Sequence, residues 1–164
     1  FKLDAEFGSN NSLNSYSFIN NVKLVLAGGK AWMSEGIIEK VESSKYAEDI
    51  IVTGTISFEE IAALYRNASV FVFPSLYEGF GIPVLEAQAA GVPTIVGNNS
   101  SLPEIVRDSA MLVDVQSAKK IAEVIGKILS DNSLRKELIN KGYDNIKRFS
   151  WDKCARETLD FIKK

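Results

Sequence analysis

Five short apolar runs recur along the chain, Val22 to Ala27, Asp49 to Thr53, Ser69 to Phe73, Thr94 to Val96 and Ala110 to Val113, with helical segments between them. Each is too short for a helix. Each is also rich in Val, Ile, Leu or Phe without the polar alternation of a strand that has one wet face, so both faces require cover. Strand and helix in turn imply a parallel sheet packed between helices. The expected fold is α/β, a Rossmann-like parallel sheet with helices on both faces. Helices are expected at Trp32 to Glu42, Glu59 to Asn67, Pro83 to Ala90 and, briefly, Pro103 to Arg107. After Asp114 the chain turns helical, with segments at Ser117 to Leu129, Ser133 to Arg148 and Trp151 to Ile162. Ser57 and Glu60 have the spacing of a capping box, and Asp131 and Ser150 stand where caps are needed. Pro83 and Pro103 suit the first turn of a helix, where the missing N–H has no partner to lose.

The 164 residues are expected to form one domain, 1–164, with 1–21 a loop-like leading segment rich in Gly, Ser and Asn. Histidine is absent and cysteine occurs once. A Ser/His/Asp or Cys/His arrangement, or a zinc site of His and Cys, therefore cannot be assembled from this chain alone. Acids outnumber bases 21 to 19 and the lysines form no stripe, which argues against nucleic acid as a partner. No apolar run approaches the ~18 residues of a membrane span, and no charged-then-apolar leader opens the chain. A cytoplasmic location is expected, with peripheral contact at the inner face of a membrane open to the full protein. Cys154 is expected to be a small buried hydrophobe on the last helix.

All four prolines, Pro74, Pro83, Pro93 and Pro103, fall in one stretch together with Gly79, Gly81, Gly91 and Gly97. Within it an apolar strand runs into a glycine-bearing loop and then a helix, so unpaired N–H groups and the positive end of the helix dipole collect at the strand's carboxyl end. Such a place favours anions, and Gly79 and Gly81 allow backbone to approach a ligand closely. The helix is apolar or small nearly all round except for Glu86, with Gln88 roughly opposite it. That pattern predicts a buried helix, in which an ionised Glu86 requires a hydrogen-bonding partner such as a pair of sugar hydroxyls. The bland alternative is that Glu86 acts on its own helix dipole or pairs with a distant lysine. Glu78 is expected near the same helix mouth, or else as a solvated loop acid.

The run Pro-Ser-Leu-Tyr-Glu78-Gly-Phe-Gly-Ile-Pro-Val-Leu-Glu86-Ala-Gln-Ala-Ala-Gly-Val-Pro-Thr-Ile-Val resembles the E-x7-E signature of glycosyltransferase family 4. The likeness extends from Val22 to the C-terminus through Lys23-Leu-Val-Leu-Ala-Gly-Gly, Val52-Thr-Gly-Thr, Glu60-Ile-Ala-Ala-Leu-Tyr, Ser101-Leu-Pro-Glu-Ile-Val and Phe149-Ser-Trp-Asp-Lys. These are retaining transferases of the two-domain GT-B type, and the match is to their C-terminal, donor-binding domain. The resemblance implies a nucleotide-sugar (UDP-, GDP- or ADP-linked) as a substrate rather than a cofactor, with no metal ion. It implies that Glu86 grips the ribose hydroxyls and that Glu78, the catalytic candidate, lies by the donor sugar. Backbone N–H groups at Gly79, Phe80, Gly81 and Ile82 would hold sugar and diphosphate, and Gly54, Thr55 and Ile56 would flank the base. Family members hold the departing diphosphate with cationic side chains and a helix N-terminus. Retention is assigned to front-face attack by the acceptor.

Relative to the family, the first strand of the domain is expected to be missing, together with a loop that carries an arginine and a lysine. The strand would lie centrally, between those at Val22 and Ser69. The family's N-terminal domain, which would bind an acceptor glycan or lipid-linked sugar, is expected to lie outside these 164 residues. Lys30 and Arg107 are weak candidates for the diphosphate, each more readily an ordinary exposed cation. The expected function is the donor half of a retaining hexosyltransferase in cell-envelope polysaccharide or glycolipid synthesis, inert as this fragment alone. Two alternatives stand beside it: a sucrose- or starch-synthase-like enzyme, and a nucleotide-binding regulatory module without transfer activity. A dinucleotide oxidoreductase is disfavoured because Gly28-Gly29 does not continue into G-x-G-x-x-G.

Overall fold

A computed structural model describes residues 22–29 and 35–163. The leading segment 1–21, Lys30 and the first turn expected at Trp32 lie outside the described residues. The chain divides into two compact units, Phe1–Asn67 and Ala68–Lys164.

In the first unit β1 (Leu24–Ala27) pairs in parallel with β2 (Ile50–Gly54), Leu24 opposite Ile50, with the register slipping between Leu26 and Ala27. Helix α1 (Glu35–Glu42) connects them, and α2 (Phe58–Asn67) follows β2. The capping box that starts α2 is present: Ser57 N–H donates to Glu60 Oε2 at 2.7 Å, and Glu60 N–H donates to Ser57 Oγ at 3.2 Å. Leu24, Val25, Ile51 and Val52 are exposed, against the expectation of two covered faces. A two-stranded ladder beside two short helices is too narrow to enclose both sides among the described residues.

In the second unit β3 (Phe71–Phe73), β4 (Thr94–Gly97) and β5 (Met111–Val113) form a parallel sheet in that spatial order. Helix α3 (Ile82–Ala89) joins β3 to β4, and α4 (Leu102–Val106) joins β4 to β5. Then follow α5 (Ala118–Ser130), α6 (Asn132–Ile146) and α7 (Trp151–Ile162). Here both faces are covered. Val96 packs with Val84, Leu102 and Val106 on one side, while its neighbour Ile95 packs with Ile121, Ile128 and Leu138 on the other. Successive strand residues point to opposite faces, which is why this run is apolar throughout. Asp131 Oδ1 caps α6 by accepting from the N–H groups of Ser133 and Leu134, and Ser150 Oγ accepts from Lys153 N–H at the start of α7.

Two expectations are corrected. Cys154 is exposed rather than buried, because every residue from Trp151 to Lys163 is exposed in the described structure. Periodicity shows that α7 has an apolar face, but not that anything in this chain covers it. The second correction concerns α3, which is not buried all round. Val84, Ala87 and Gln88 point inward, while Ile82, Glu86 and Ala89 form an exposed strip at the i, i+4, i+7 spacing of one helix face.

Gln88 is 1% exposed and its amide is fully engaged. Nε2 donates to Ser109 Oγ at 2.8 Å and lies within reach of Thr94 Oγ1, while Oε1 accepts from Asn145 Nδ2 at 2.8 Å. Arg148 extends the chain by donating to Asn145 Oδ1 and to the carbonyl of Ile105. Gly142 lets α6 approach closely, since a Cβ there would stand 3.3 Å from the Gln88 side chain. Replacing Gln88 with Leu strands the buried amide N–H of Asn145, while the Ser109 hydroxyl keeps its bond to the Val106 carbonyl, so the unfolding free energy from urea denaturation should fall by about 2–3 kcal/mol.

On the surface, Lys141 Nζ sits 3.2 Å from Asp108 Oδ2 and 2.8 Å from Glu137 Oε1. The hydrogen bond from Lys141 holds the Asp108 carboxyl below its ordinary range, and those to Glu137 and Asp108 raise the Lys141 ammonium above its own. The Asp108 contribution is present above the ordinary carboxylate pKa and disappears as acid takes the pH through the folded value. The Lys141 contribution is complete below 10.5 and disappears as the pH rises through the folded value. Wild type should therefore exceed Lys141→Met in urea midpoint at neutral pH, with the gap closing in strong acid and strong base. A gap that is constant with pH would count against the ion pairs.

Candidate functional site

The site is built on the segment that leaves the carboxyl end of β3. Ser75 Oγ donates to the carbonyl of Tyr77 and to Glu78 Oε1, at 3.0 and 3.1 Å. The loop after β4 holds the same segment from the other side. Asn99 Nδ2 donates to the carbonyl of Ser75, Glu78 N–H donates to Ser100 Oγ at 3.0 Å, and Ser101 Oγ donates to the carbonyl of Glu78 at 2.9 Å. Both the backbone and the carboxyl of Glu78 are thus anchored before any ligand arrives, with one carboxylate oxygen still open.

Beyond Glu78 the chain passes through Gly79 and Phe80 to Gly81, which caps α3 from the left-handed region at φ 98° and ψ 47°. Only glycine adopts this without strain, and a Cβ there would also meet Leu102 Cδ2 at 2.8 Å. Pro83 stands in the first turn, as expected. No side chain caps this helix, and no hydrogen bond among the described residues takes up the N–H of Gly79, Phe80, Gly81 or Ile82. These four donors and the positive end of α3 share one mouth, a local chemistry that favours an anion. Phe80 packs edge-on against Phe149, with ring centroids 5.5 Å apart, which ties the mouth to the end of α6. Glu86 lies one turn along α3 from Ile82, on the exposed strip, so its carboxylate faces outward rather than into the core.

Gly79, Phe80, Gly81, Ile82, Glu78 and Glu86 are therefore brought together in the second unit. Gly54, Thr55 and Ile56 belong to the first. Gly54 ends β2 at φ 68°, its carbonyl accepts from Gly28 N–H at 3.2 Å, and Thr55 is exposed beside Gly29. Arg107 is exposed at the end of α4, itself at φ 51°. Sequence reasoning missed the serines and the asparagine of the 99–101 loop that fasten Glu78. Their only signal was a run of small polar residues after an apolar strand, which reads as an ordinary turn. Among the described residues no group of three or more His, Cys, Asp or Glu is placed to hold a metal ion, and no helix is long and apolar enough to cross a membrane. The Gly81→Ala variant should lose about 1–3 kcal/mol of stability from backbone strain, read from its thermal or urea transition. A variant as stable as wild type would show that the left-handed cap is dispensable.

A family model described as "Glycosyl transferases group 1" matches residues 11–145. The chain is 36% identical over 140 residues to O-antigen chain mannosyltransferase B of Escherichia coli, covering 85% of this chain and 37% of that protein. Among solved structures it is similar to the sucrose-phosphate synthase of Thermosynechococcus elongatus, at 27% identity and a TM-score of 0.74, covering 92% of this chain and 40% of that one. It also shares its fold with Anabaena HepE, solved in complex with UDP, at 14% identity and a TM-score of 0.76, over 87% of this chain and 41% of that one. The chain thus spans well under half the length of the curated relatives it matches.

Proposed function

Because the chain belongs to the group 1 glycosyl transferases, we propose that it is the donor-binding half of a retaining enzyme that moves a sugar from a nucleotide-sugar to an acceptor. The observation that carries this reading is the mouth of α3. Four unengaged N–H groups and a helix N-terminus lie between an anchored carboxylate, Glu78, and an outward-facing one, Glu86.

In this proposal the diphosphate sits on the N–H groups of Gly79 to Ile82, where the dipole of α3 offsets the charge that builds on the leaving group. Glu86 accepts from two ribose hydroxyls, and its charge strengthens both bonds. Glu78 accepts from hydroxyls of the donor sugar and holds the ring at a fixed angle. The acceptor oxygen attacks the anomeric carbon from the face that the diphosphate leaves. The bond to the phosphate oxygen breaks, and the acceptor's proton passes to that departing oxygen. Glu78 forms no covalent bond, and no metal ion is required.

The nucleotide is uridine, guanosine or adenosine diphosphate, and the UDP bound by HepE supports the first of these. The named role of the Escherichia coli relative, an O-antigen chain mannosyltransferase, supports cell-envelope glycan synthesis. The likeness to sucrose-phosphate synthase favours a second reading, in which the acceptor is a small sugar phosphate rather than a growing glycan.

In the full-length protein, Glu86→Ala should lower kcat/KM for the donor by about 10- to 100-fold, the scale of losing hydrogen bonds to a charged group. Measured turnover equal to wild type would overturn the assignment of Glu86. A protein that binds nucleotide-sugars but turns none over would instead be a regulatory module. A thermal-shift series with UDP-, GDP- and ADP-sugars identifies the base, since the matching nucleotide adds about 2.7 kcal/mol at a hundred times its Kd.

A further inference from the structure

The second unit holds a cavity of about 400 Å³ that the donor reading leaves unused. It opens beyond the carboxyl ends of β4 and β5 and is lined by Leu76, Asn98, Asn99, Val113, Asp114 and Gln116, among others. The volume lies within the ~300–1,000 Å³ typical of small-molecule sites, and the carboxyl ends of strands are where open α/β sheets bind ligands.

The lining specifies a chemistry. Asn98 and Gln116 are exposed, and their side-chain amides make no hydrogen bond among the described residues, so each offers a donor and an acceptor. Asp114 Oδ1 accepts from Gln116 N–H at 2.9 Å, which fixes the turn and leaves Oδ2 open. Asn99 is already committed, through Nδ2, to the carbonyl of Ser75. Among the described residues no lysine or arginine lines the cavity, and the carboxylate of Asp114 would repel a phosphate. Beside these polar groups Leu76 is 69% exposed and Tyr77 is 81% exposed, although the backbone on either side of Leu76 is tied down at Ser75, Tyr77 and Glu78. A rigid loop that holds large apolar side chains in water is a platform for a partner. Amides and one carboxylate oxygen next to aliphatic surface match an uncharged ligand that carries hydroxyls on one aspect and C–H groups on another.

We propose that the cavity formed by Leu76, Asn98, Asp114 and Gln116 is a saccharide subsite for a neutral hexose unit of the acceptor glycan. The assignment to the acceptor rests on the transferase reading. The placement agrees with it, since Leu76 and Glu78 are two residues apart and their Cα atoms lie within about 7 Å of one another. A hexose against Leu76 thus sits on the same short loop that carries Glu78, the residue proposed to face the donor sugar.

The test is saturation-transfer NMR on the full-length protein with mannobiose, maltose, mannose 6-phosphate and, separately, UDP and GDP. Transfer is expected to at least one neutral disaccharide, with the affinity falling about tenfold in the double variant Asn98→Ala/Gln116→Ala. Both changed side chains are exposed and unbonded, so transfer to the nucleotide should be retained and reports that the variant is folded. Absence of transfer to either disaccharide, or transfer that the double variant leaves unchanged, would overturn the subsite. Equal transfer to mannose 6-phosphate would overturn its neutral character. Failure of both nucleotides in wild type would instead sink the donor reading, because the saccharide signal and its loss in the double variant are read independently.

Discussion

Gln88 is buried at the centre of the second unit, and its amide is shared among Ser109, Thr94 and Asn145, so α3 cannot turn or slide without unpairing several polar groups in an apolar interior. That constraint sets where α3 begins and which side of it meets solvent. Glu86 lies two residues from Gln88, about 200° around the helix, so fixing the amide inward holds the carboxylate outward. The N–H groups of residues 79–82 are placed by the same anchor, because Gly81 leads directly into α3 and Phe80 packs on Phe149 at the end of the helix that carries Asn145.

The choice between the two polar residues of α3 follows from their charges. A neutral amide enters an interior at modest cost once its donor and acceptor are matched, and here both are. An ionised carboxylate requires charged or multiple hydrogen-bonding partners to do the same. The strand-end loops obey a related economy. Ser75, Asn99, Ser100 and Ser101 are short side chains that bond to nearby backbone, and together they hold Glu78 without a single ion pair. The loop is therefore rigid while its surface remains free for ligands. One side presents the donors and carboxylates of the α3 mouth, and the other presents Leu76 to the cavity at the ends of β4 and β5.

Much of the element order was legible because the central strand β4 is buried throughout and its neighbour β3 is at least half-buried, which leaves unbroken apolar runs that do not read as half-wet strands. Caps were legible for a local reason: Ser57, Glu60, Asp131 and Ser150 bond within three residues of themselves, and the partners lie in the same short string. The strands begin up to two residues later than the apolar runs, as at Val22 and Ser69, since a ladder requires a partner as well as propensity. The burial of Cys154 and of the whole circumference of α3 could not be read in this way. Both depend on what lies opposite a face, and periodicity identifies a face without identifying its neighbour.

By itself the sequence determined the alternation of strand and helix, the glycine and proline punctuation around residues 74–103, and the positions of Glu78 before the start of α3 and Glu86 within it. These follow from contacts and conformational preferences within a few residues. Only the tertiary structure decided that Gln88 rather than Glu86 enters the core, that the 99–101 loop anchors Glu78, and that Leu76, Asn98, Asp114 and Gln116 share a cavity. Those groups come from separate strand ends, as far apart in the chain as residues 76 and 116, and only the closing of the β3-β4-β5 sheet brings them to one edge.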